Sequence, residues 1–311
     1  ISNATQSDTR AAAFIDFDLD GWLDVVVLNN PSMTGHSQGN RRLHDGHDEL
    51  LRNTQDGGFV EVLGTGISEP IRTSFNQPAN FEAAGAVAVG DVNLDGYPDI
   101  VKGRCVYLNV QGANFVRSAH FTDPRSWAST CPQGAELCPA ACRCESMAMA
   151  DLDGDGDLDA MVGAYNSDPG VVFYINNGDG TFDRPLVGTG IPIDITKHLA
   201  FGDFDRDGKI DLLVGRGRTG GRNYRQNSLY RNIGNASTIA FEEVTGTSIS
   251  ALSTYTTGVA WGDYDGDGWL DVAVVNFGQP NELHRNAGNG TFVATSSVIT
   301  ASTATSQTLA L

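Results

Sequence analysis

Five times in 311 residues the chain repeats a nine-residue acidic loop and follows it at once with a β-branched run, a pattern that fixes turn, charge and strand together. The copies are DFDLDGWLD (16–24), DVNLDGYPD (91–99), DLDGDGDLD (151–159), DFDRDGKID (203–211) and DYDGDGWLD (263–271). Asp holds positions one, five and nine, Asp or Asn holds position three, and Gly holds position six, where it permits a sharp turn. A hard cation such as Ca²⁺ takes about six to eight oxygen ligands, and carboxylates at alternate positions of a tight loop supply several from one side. The candidate ligands are Asp16, Asp18, Asp20 and Asp24; Asp91, Asp95 and Asp99; Asp151, Asp153, Asp155 and Asp159; Asp203, Asp205, Asp207 and Asp211; and Asp263, Asp265, Asp267 and Asp271. Position seven adds a backbone carbonyl from Trp22, Tyr97, Asp157, Lys209 or Trp269.

An EF-hand shares the D-x-D-x-D-G opening but needs a bidentate Glu at position twelve and a helix on each side. Position twelve here is Val27, Lys102, Val162, Val214 and Val274, none of which ligates calcium through its side chain. The residues after each loop read VVVL (25–28), IVKG (100–103), AMVGA (160–164), LLVGR (212–216) and VAVV (272–275). Such runs are strand-forming, so each loop joins two strands.

The repeat is larger than its loop. Before each loop stands a short apolar segment: AAAFID (11–16), AVAVGD (86–91), MAMAD (147–151), LAFGD (199–203) and GVAWGD (258–263). After each β-run comes a second signature, LLRN (50–53), VYLN (106–109), FYIN (173–176), LYRN (229–232) and LHRN (283–286). A turn and a Phe close the unit, as in NNGDGTF (176–182) and NAGNGTF (286–292). Each unit thus predicts four strands: A before the acidic loop, B after it, C ending in Asn and D beginning near Phe. The units recur at roughly 50 to 75 residues, a spacing that belongs to propellers and solenoids. Four-stranded units repeated about an axis make a β-propeller, so the expected fold is all-β.

Loop and flanking strands recur together across essentially the whole chain, with the N-x-G-x-G-T-F turn at 176–182 and 286–292, and in this the sequence resembles the FG-GAP/VCBS repeat family, which includes the calcium-bearing propeller of integrin α subunits. The resemblance implies Ca²⁺ ligation by the aspartates above and by Asn93 at position three, with about five ions, one per complete repeat. It also implies blades near 9–75, 84–121, 146–187, 197–247 and 256–298, within one propeller region spanning 1–311. TSQTLAL (305–311) aligns with TTGVAW (256–261), so a further blade is expected to start there. Relatives commonly have seven blades, and the expectation is therefore five blades plus an extra first strand of a larger propeller. A closed five-bladed ring is the competing arrangement.

Composition supports an extracellular setting. The formal charge of −18 argues against nucleic acid as a partner, and much of it sits in the loops, where self-repulsion couples folding to metal binding. No apolar stretch has the length of a membrane span. Cys131, Cys138, Cys142 and Cys144 crowd into an insertion over 116–146 and fit no standard zinc spacing, so a disulfide-stapled surface segment is expected, with Cys105 as the fifth cysteine. Asn3, Asn235 and Asn289 open N-x-S/T sequons and are candidate glycosylation sites.

In an antiparallel unit the A–B and C–D turns share one end, and the long insertions fall at the other. There the segment 215–228 gathers Arg216, Arg218, Arg222 and Arg225 around Tyr224, a candidate surface for an anionic glycan or an acidic protein face. His36, His44 and His47 near Asp45 and Asp48 form a weaker candidate for a transition metal. No motif for nucleophilic, zinc-hydrolytic or phosphate chemistry is present, and no enzymatic activity is expected. The expected function is an extracellular, calcium-dependent interaction, adhesion or assembly module, with a carbohydrate-binding or polysaccharide-cleaving propeller as the alternative.

Overall fold

The computed structural model describes residues 8–30, 33–34, 42–43, 48–67, 86–102, 105–120, 144–164, 171–183, 191, 196–219, 223–235 and 238–295. Among these the protein is all-β apart from one short 3₁₀ turn, Ser248–Ser250. Its main architecture is five four-stranded antiparallel sheets, one per acidic loop, with strands in sequence order. The first contains Asp8–Ile15, Asp24–Asn30, Glu49–Asn53 and Phe59–Glu61. The second contains Val87–Gly90, Asp99–Lys102, Cys105–Val110 and Asn114–His120. Cys144–Ala150, Asp159–Ala164, Val171–Asn176 and Phe182–Asp183 make the third. Thr196–Gly202, Asp211–Arg216, Ser228–Asn232 and Phe241–Glu243 make the fourth. The fifth is Thr256–Gly262, Asp271–Asn276, Glu282–Asn286 and Phe292–Thr295. The size and connectivity are those of propeller-like blades.

Register is copied from repeat to repeat. The residue before the loop pairs with the loop's last Asp in Ile15↔Asp24, Gly90↔Asp99, Gly202↔Asp211 and Gly262↔Asp271. The Asn ending strand C faces the Phe of strand D in all five sheets: Asn53↔Phe59, Asn109↔Phe115, Asn176↔Phe182, Asn232↔Phe241 and Asn286↔Phe292. Because strand side chains alternate faces, a one-residue slip would turn every B-strand valine or leucine over, and the repeated turn chemistry prevents it.

By compactness the chain divides into two units, Ile1–Cys144 with Ile175–Arg184, and Glu145–Tyr174 with Pro185–Leu311. In the first, Ile15, Phe17, Val26, Leu28, Leu50, Ile100, Tyr107 and Phe115 form a buried core. Beside it lies a buried cation, Lys102, whose Nζ donates to Asp48 Oδ2 at 2.5 Å and to the Ile67 carbonyl at 2.9 Å and stands 4.6 Å from the centre of the Tyr107 ring. In the second unit Phe204, Leu213, Leu229, Ile249, Val259, Val272, Val274 and Phe292 are buried together. Trp261 lies parallel to Phe204 there, with centroids 6.3 Å apart. The B strands Asp211–Arg216 and Asp271–Asn276 are buried along their whole length, which explains why they are continuous apolar runs and do not alternate.

Position four of each loop is left-handed. Gly154 and Gly266 adopt it freely, whereas Leu19, Leu94 and Arg206 do so at φ 58°, 57° and 60°. Leu94 is 59% exposed, so little burial is lost on truncation. Leu94→Gly is expected to stabilise the protein by about 0.5–1 kcal/mol in chemical denaturation. Gly96, at φ 91° with open space where a Cβ would stand, should lose about 1 kcal/mol when changed to Ala. A loss on Leu94→Gly would contradict the expected strain.

Candidate metal centres

The acidic loops are held by three sets of hydrogen bonds that recur with little variation. Position one accepts the N–H of the position-six glycine: Gly21 to Asp16 at 3.1 Å, Gly96 to Asp91 at 2.8 Å, Gly156 to Asp151 at 3.1 Å, Gly208 to Asp203 at 3.0 Å and Gly268 to Asp263 at 2.8 Å. Position five accepts the N–H of position seven: Trp22 to Asp20, Tyr97 to Asp95, Asp157 to Asp155, Lys209 to Asp207 and Trp269 to Asp267, at 2.9–3.1 Å. Position nine is buried in every loop. One oxygen of Asp24, Asp99, Asp159, Asp211 and Asp271 accepts the N–H of position two. The other oxygen accepts the N–H of the strand C asparagine for Asp24, Asp99, Asp211 and Asp271, at 2.7–2.8 Å.

This folding brings the carboxylates of positions one, three and nine together. Asp16, Asp18 and Asp24 each offer an oxygen within 4.8 Å of the others, as do Asp151, Asp153 and Asp159; Asp203, Asp205 and Asp211; and Asp263, Asp265 and Asp271. Each of these four clusters could hold a metal ion. In the second loop Asn93 takes position three, with its Nδ2 donating to Asp95 Oδ2 at 3.0 Å and its Oδ1 accepting from the Asp95 N–H at 3.2 Å. The donor set, all oxygen and almost entirely carboxylate, suits a hard divalent cation.

The strongest test of fit is which oxygens lack a protein partner. Asp16 Oδ1, Asp18 Oδ1, Asp205 Oδ1 and Asp157 Oδ1 are buried and receive no hydrogen bond. A buried carboxylate oxygen without a donor is costly, and a cation at that point would supply what is missing. Electrostatics agrees: burial raises Asp211 to about 7 and Asp99 to about 6, against the pull of their backbone N–H donors, with nearby aspartates adding to the rise. Asp157 is likewise raised to about 6 by burial and then by Asp155. Asp24, Asp153 and Asp271 are raised for the same leading reason.

The position-seven side chains serve separate purposes. Trp22 is 48% exposed, Lys209 Nζ donates to the Gly234 carbonyl at 2.8 Å, and the Arg206 guanidinium lies 4.5 Å from the centre of the Trp269 ring. The asparagine ending strand C does more than cap its own hairpin. Asn109 Nδ2 donates to the Phe17 carbonyl at 2.8 Å, Asn176 to Val92 at 2.8 Å, Asn232 to Leu152 at 3.0 Å and Asn286 to Phe204 at 2.9 Å. Each acceptor is position two of the preceding repeat's loop. The motif was plain in sequence, but this reach of more than 80 residues had no local signal.

At the other end of the fourth sheet, Arg218–Thr219, Asn223–Gln226 and Ser253–Thr254 form a small three-stranded sheet. Tyr224 and Arg225 are exposed on it. Arg216 is only 5% exposed: its guanidinium donates to Tyr230 Oη at 3.0 Å and Ser228 Oγ at 3.3 Å, so it is committed inside the sheet and is not presented to a partner. The Arg218 backbone lies in the small sheet, and Arg222 lies outside the described residues. Asn235 and Asn289 are exposed. Asn3, the three histidines with Asp45, and Cys131, Cys138 and Cys142 lie outside the described residues. Cys144 begins strand A of the third sheet, and Cys105 is buried with its Sγ 3.0 Å from Arg117 Nη2.

The FG-GAP-like repeat pattern matches residues 16–101, 151–214, 219–274 and 263–311. The chain therefore belongs to the FG-GAP-like repeat family. It is 31% identical over 222 residues to human integrin alpha-7, a match covering 67% of this chain and 17% of that much longer protein. Among solved structures, the Vibrio cholerae biofilm matrix protein Bap1 is similar at a TM-score of 0.44 and 13% identity, over 92% of this chain and 39% of that one. A Bacillus licheniformis rhamnogalacturonan lyase is similar at 0.42 and 15% identity, over 93% and 53%. No helix among the described residues is long and apolar enough to cross a membrane.

Proposed function

We propose that the five sheets are blades of a β-propeller stabilised by Ca²⁺ at the acidic loops, and that it works outside the cell as an interaction or adhesion module. The observation carrying this is the buried carboxylate oxygen without a hydrogen-bond donor at position three of the first and fourth loops, Asp18 and Asp205, joined in the first loop by Asp16 at position one and in both by a fully buried position-nine aspartate. Asp or Asn at positions one, three, five and nine, with the position-seven carbonyl, would hold the ion. Bound Ca²⁺ would neutralise the crowded carboxylates, and its role is structural. Affinities of about 10⁻⁴ to 10⁻³ M would suit a calcium-rich extracellular fluid. Titration calorimetry is expected to give about five ions per chain, with Mg²⁺ competing poorly. Fewer than two bound ions at millimolar calcium would sink the proposal.

A partner surface is favoured at the opposite end of the sheets. Tyr224 and Arg225 stand exposed there, and nearby Tyr255 packs against Phe277 with centroids 5.5 Å apart. Aromatic faces and a guanidinium on an otherwise acidic protein fit an acidic glycan or an acidic protein face, and no catalytic step is assigned. Tyr224→Ala with Arg225→Ala is expected to weaken binding on an acidic-glycan array by tenfold or more without changing calcium stoichiometry. Unchanged binding would move the partner site elsewhere.

A further inference from the structure

One position outside the loops, the residue before the strand C asparagine, sorts the five repeats into two groups. It is Arg52, Arg231 and Arg285 in the first, fourth and fifth repeats, and Leu108 and Ile175 in the second and third. Each arginine turns back onto its own acidic loop. Arg52 Nη2 lies 2.5 Å from Asp18 Oδ2 and 3.9 Å from Asp20 Oδ2. Arg231 Nε lies 2.5 Å from Asp205 Oδ2, and its guanidinium sits over the Phe204 ring. Arg285 bonds Asp265 Oδ2 through Nε and Asp267 Oδ2 through Nη2 at 2.5 Å. The contact always includes position three, and in the first and fourth loops it takes Oδ2 while Oδ1 of the same carboxylate is buried without a donor.

We propose that these arginines are built-in counter-ions that set the calcium dependence of each repeat. In a metal-free loop the guanidinium relieves repulsion among four carboxylates and keeps the hairpin folded. With an ion present the same positive charge stands beside a divalent cation and weakens its binding. Arg takes one oxygen and leaves the other, so it tunes the site without filling it. Its planar, always-charged fork suits this better than a lysine would. The loop 151–159 lies at the other extreme: it has five aspartates, no arginine at the equivalent position, and a buried Asp157 oxygen without a donor. It should load first and tightest, and the third repeat should depend most on calcium. The other loops fill later, so the protein titrates in at least two steps.

This rests on calcium occupying the loops, and Arg285→Leu in a Trp22→Phe background separates the two ideas. Tb³⁺ emission sensitised by Trp269 and Trp261, displaced by calcium, reports the fourth and fifth loops together, and the fifth-loop phase is the one that Arg285→Leu should shift; melting in EDTA reports the metal-free state. The substitution is expected to tighten fifth-loop binding about tenfold, equivalent to ~1.4 kcal/mol. It should also lower the melting temperature in EDTA, so that the gap between calcium and EDTA widens. Unchanged or weaker Tb³⁺ binding, or an unchanged EDTA melt, would overturn the counter-ion role while leaving calcium binding intact. Failure of the calcium reading looks different: no sensitised emission in either protein, and equal melting with and without calcium. Arg231→Leu should repeat the EDTA result in the fourth repeat, guarding against a folding defect peculiar to Arg285.

Discussion

Transfer from about 10 mM calcium into excess EDTA at neutral pH is expected to remove roughly 7–13 kcal/mol of stability, summed over about five sites. An ion that binds only the folded state contributes RT ln(1 + [L]/Kd), about 1.4–2.7 kcal/mol when calcium exceeds Kd by ten- to a hundredfold. The metal-free protein should also show an inverted pH response. Burial raises Asp211 to about 7 and Asp99 and Asp157 to about 6, whereas in the unfolded chain they return to about 4. Between about pH 4 and 7 the folded state therefore binds more protons than the unfolded state, and stability falls as pH rises through that window. In EDTA the protein should melt higher at pH 5 than at pH 7.5. In saturating calcium the ionised carboxylates are the ligands, protons compete with the ion, and the order should reverse. Melting at both pH values in both buffers checks this; the same slope with and without calcium would mean that the loops are not metal sites.

Replacing a strand C asparagine should have the largest effect of any single substitution. Asn286 Nδ2 donates to the Phe204 and Leu270 carbonyls at 2.9 and 3.2 Å, and its Oδ1 accepts the Gly288 N–H at 3.0 Å. It is fully buried. Asn286→Ala strands three backbone groups and should cost about 3–5 kcal/mol in chemical denaturation with calcium present. Asn286→Asp keeps the volume and the Gly288 contact but turns a carboxylate toward two carbonyls, so it should be no better than Ala. An Asp variant within about 1 kcal/mol of wild type would show that shape, and not hydrogen bonding, is what the position requires. Asn232, with the same contacts to Leu152, Ile210 and Gly234, should behave alike.

The sheets were legible because local rules and the repeat agreed. Asp at positions one and nine of a loop, a β-branched run and the Asn-to-Phe turn each specify a neighbour within about ten residues. Position three was legible as a ligand type, and four of the five loops gather it with positions one and nine. What escaped was what side chains do at a distance. LLRN, LYRN and LHRN display their arginines, yet nothing local distinguishes a solvated arginine from one folded back more than 25 residues onto Asp18 or Asp205. Arg216 read as the first arginine of a basic loop over 215–228. It is instead the last residue of a buried strand, because the Tyr230 hydroxyl on the neighbouring strand gives its guanidinium a partner. The left-handed position four was visible as Gly154 and Gly266 but hidden at Leu19, Leu94 and Arg206. There the loop's hydrogen bonds override the preference of the residue.

The asparagine bridges all point one way: the donor always comes from the later repeat and the acceptor carbonyl from the earlier. A repeat leaving the ribosome thus has its own hairpin complete but its position-two carbonyl open until the next repeat's third strand has been made. Assembly acquires a direction, each newly synthesised repeat locking the one before it. A stalled or truncated product would leave its last position-two carbonyl without an asparagine donor, at whatever repeat synthesis stopped.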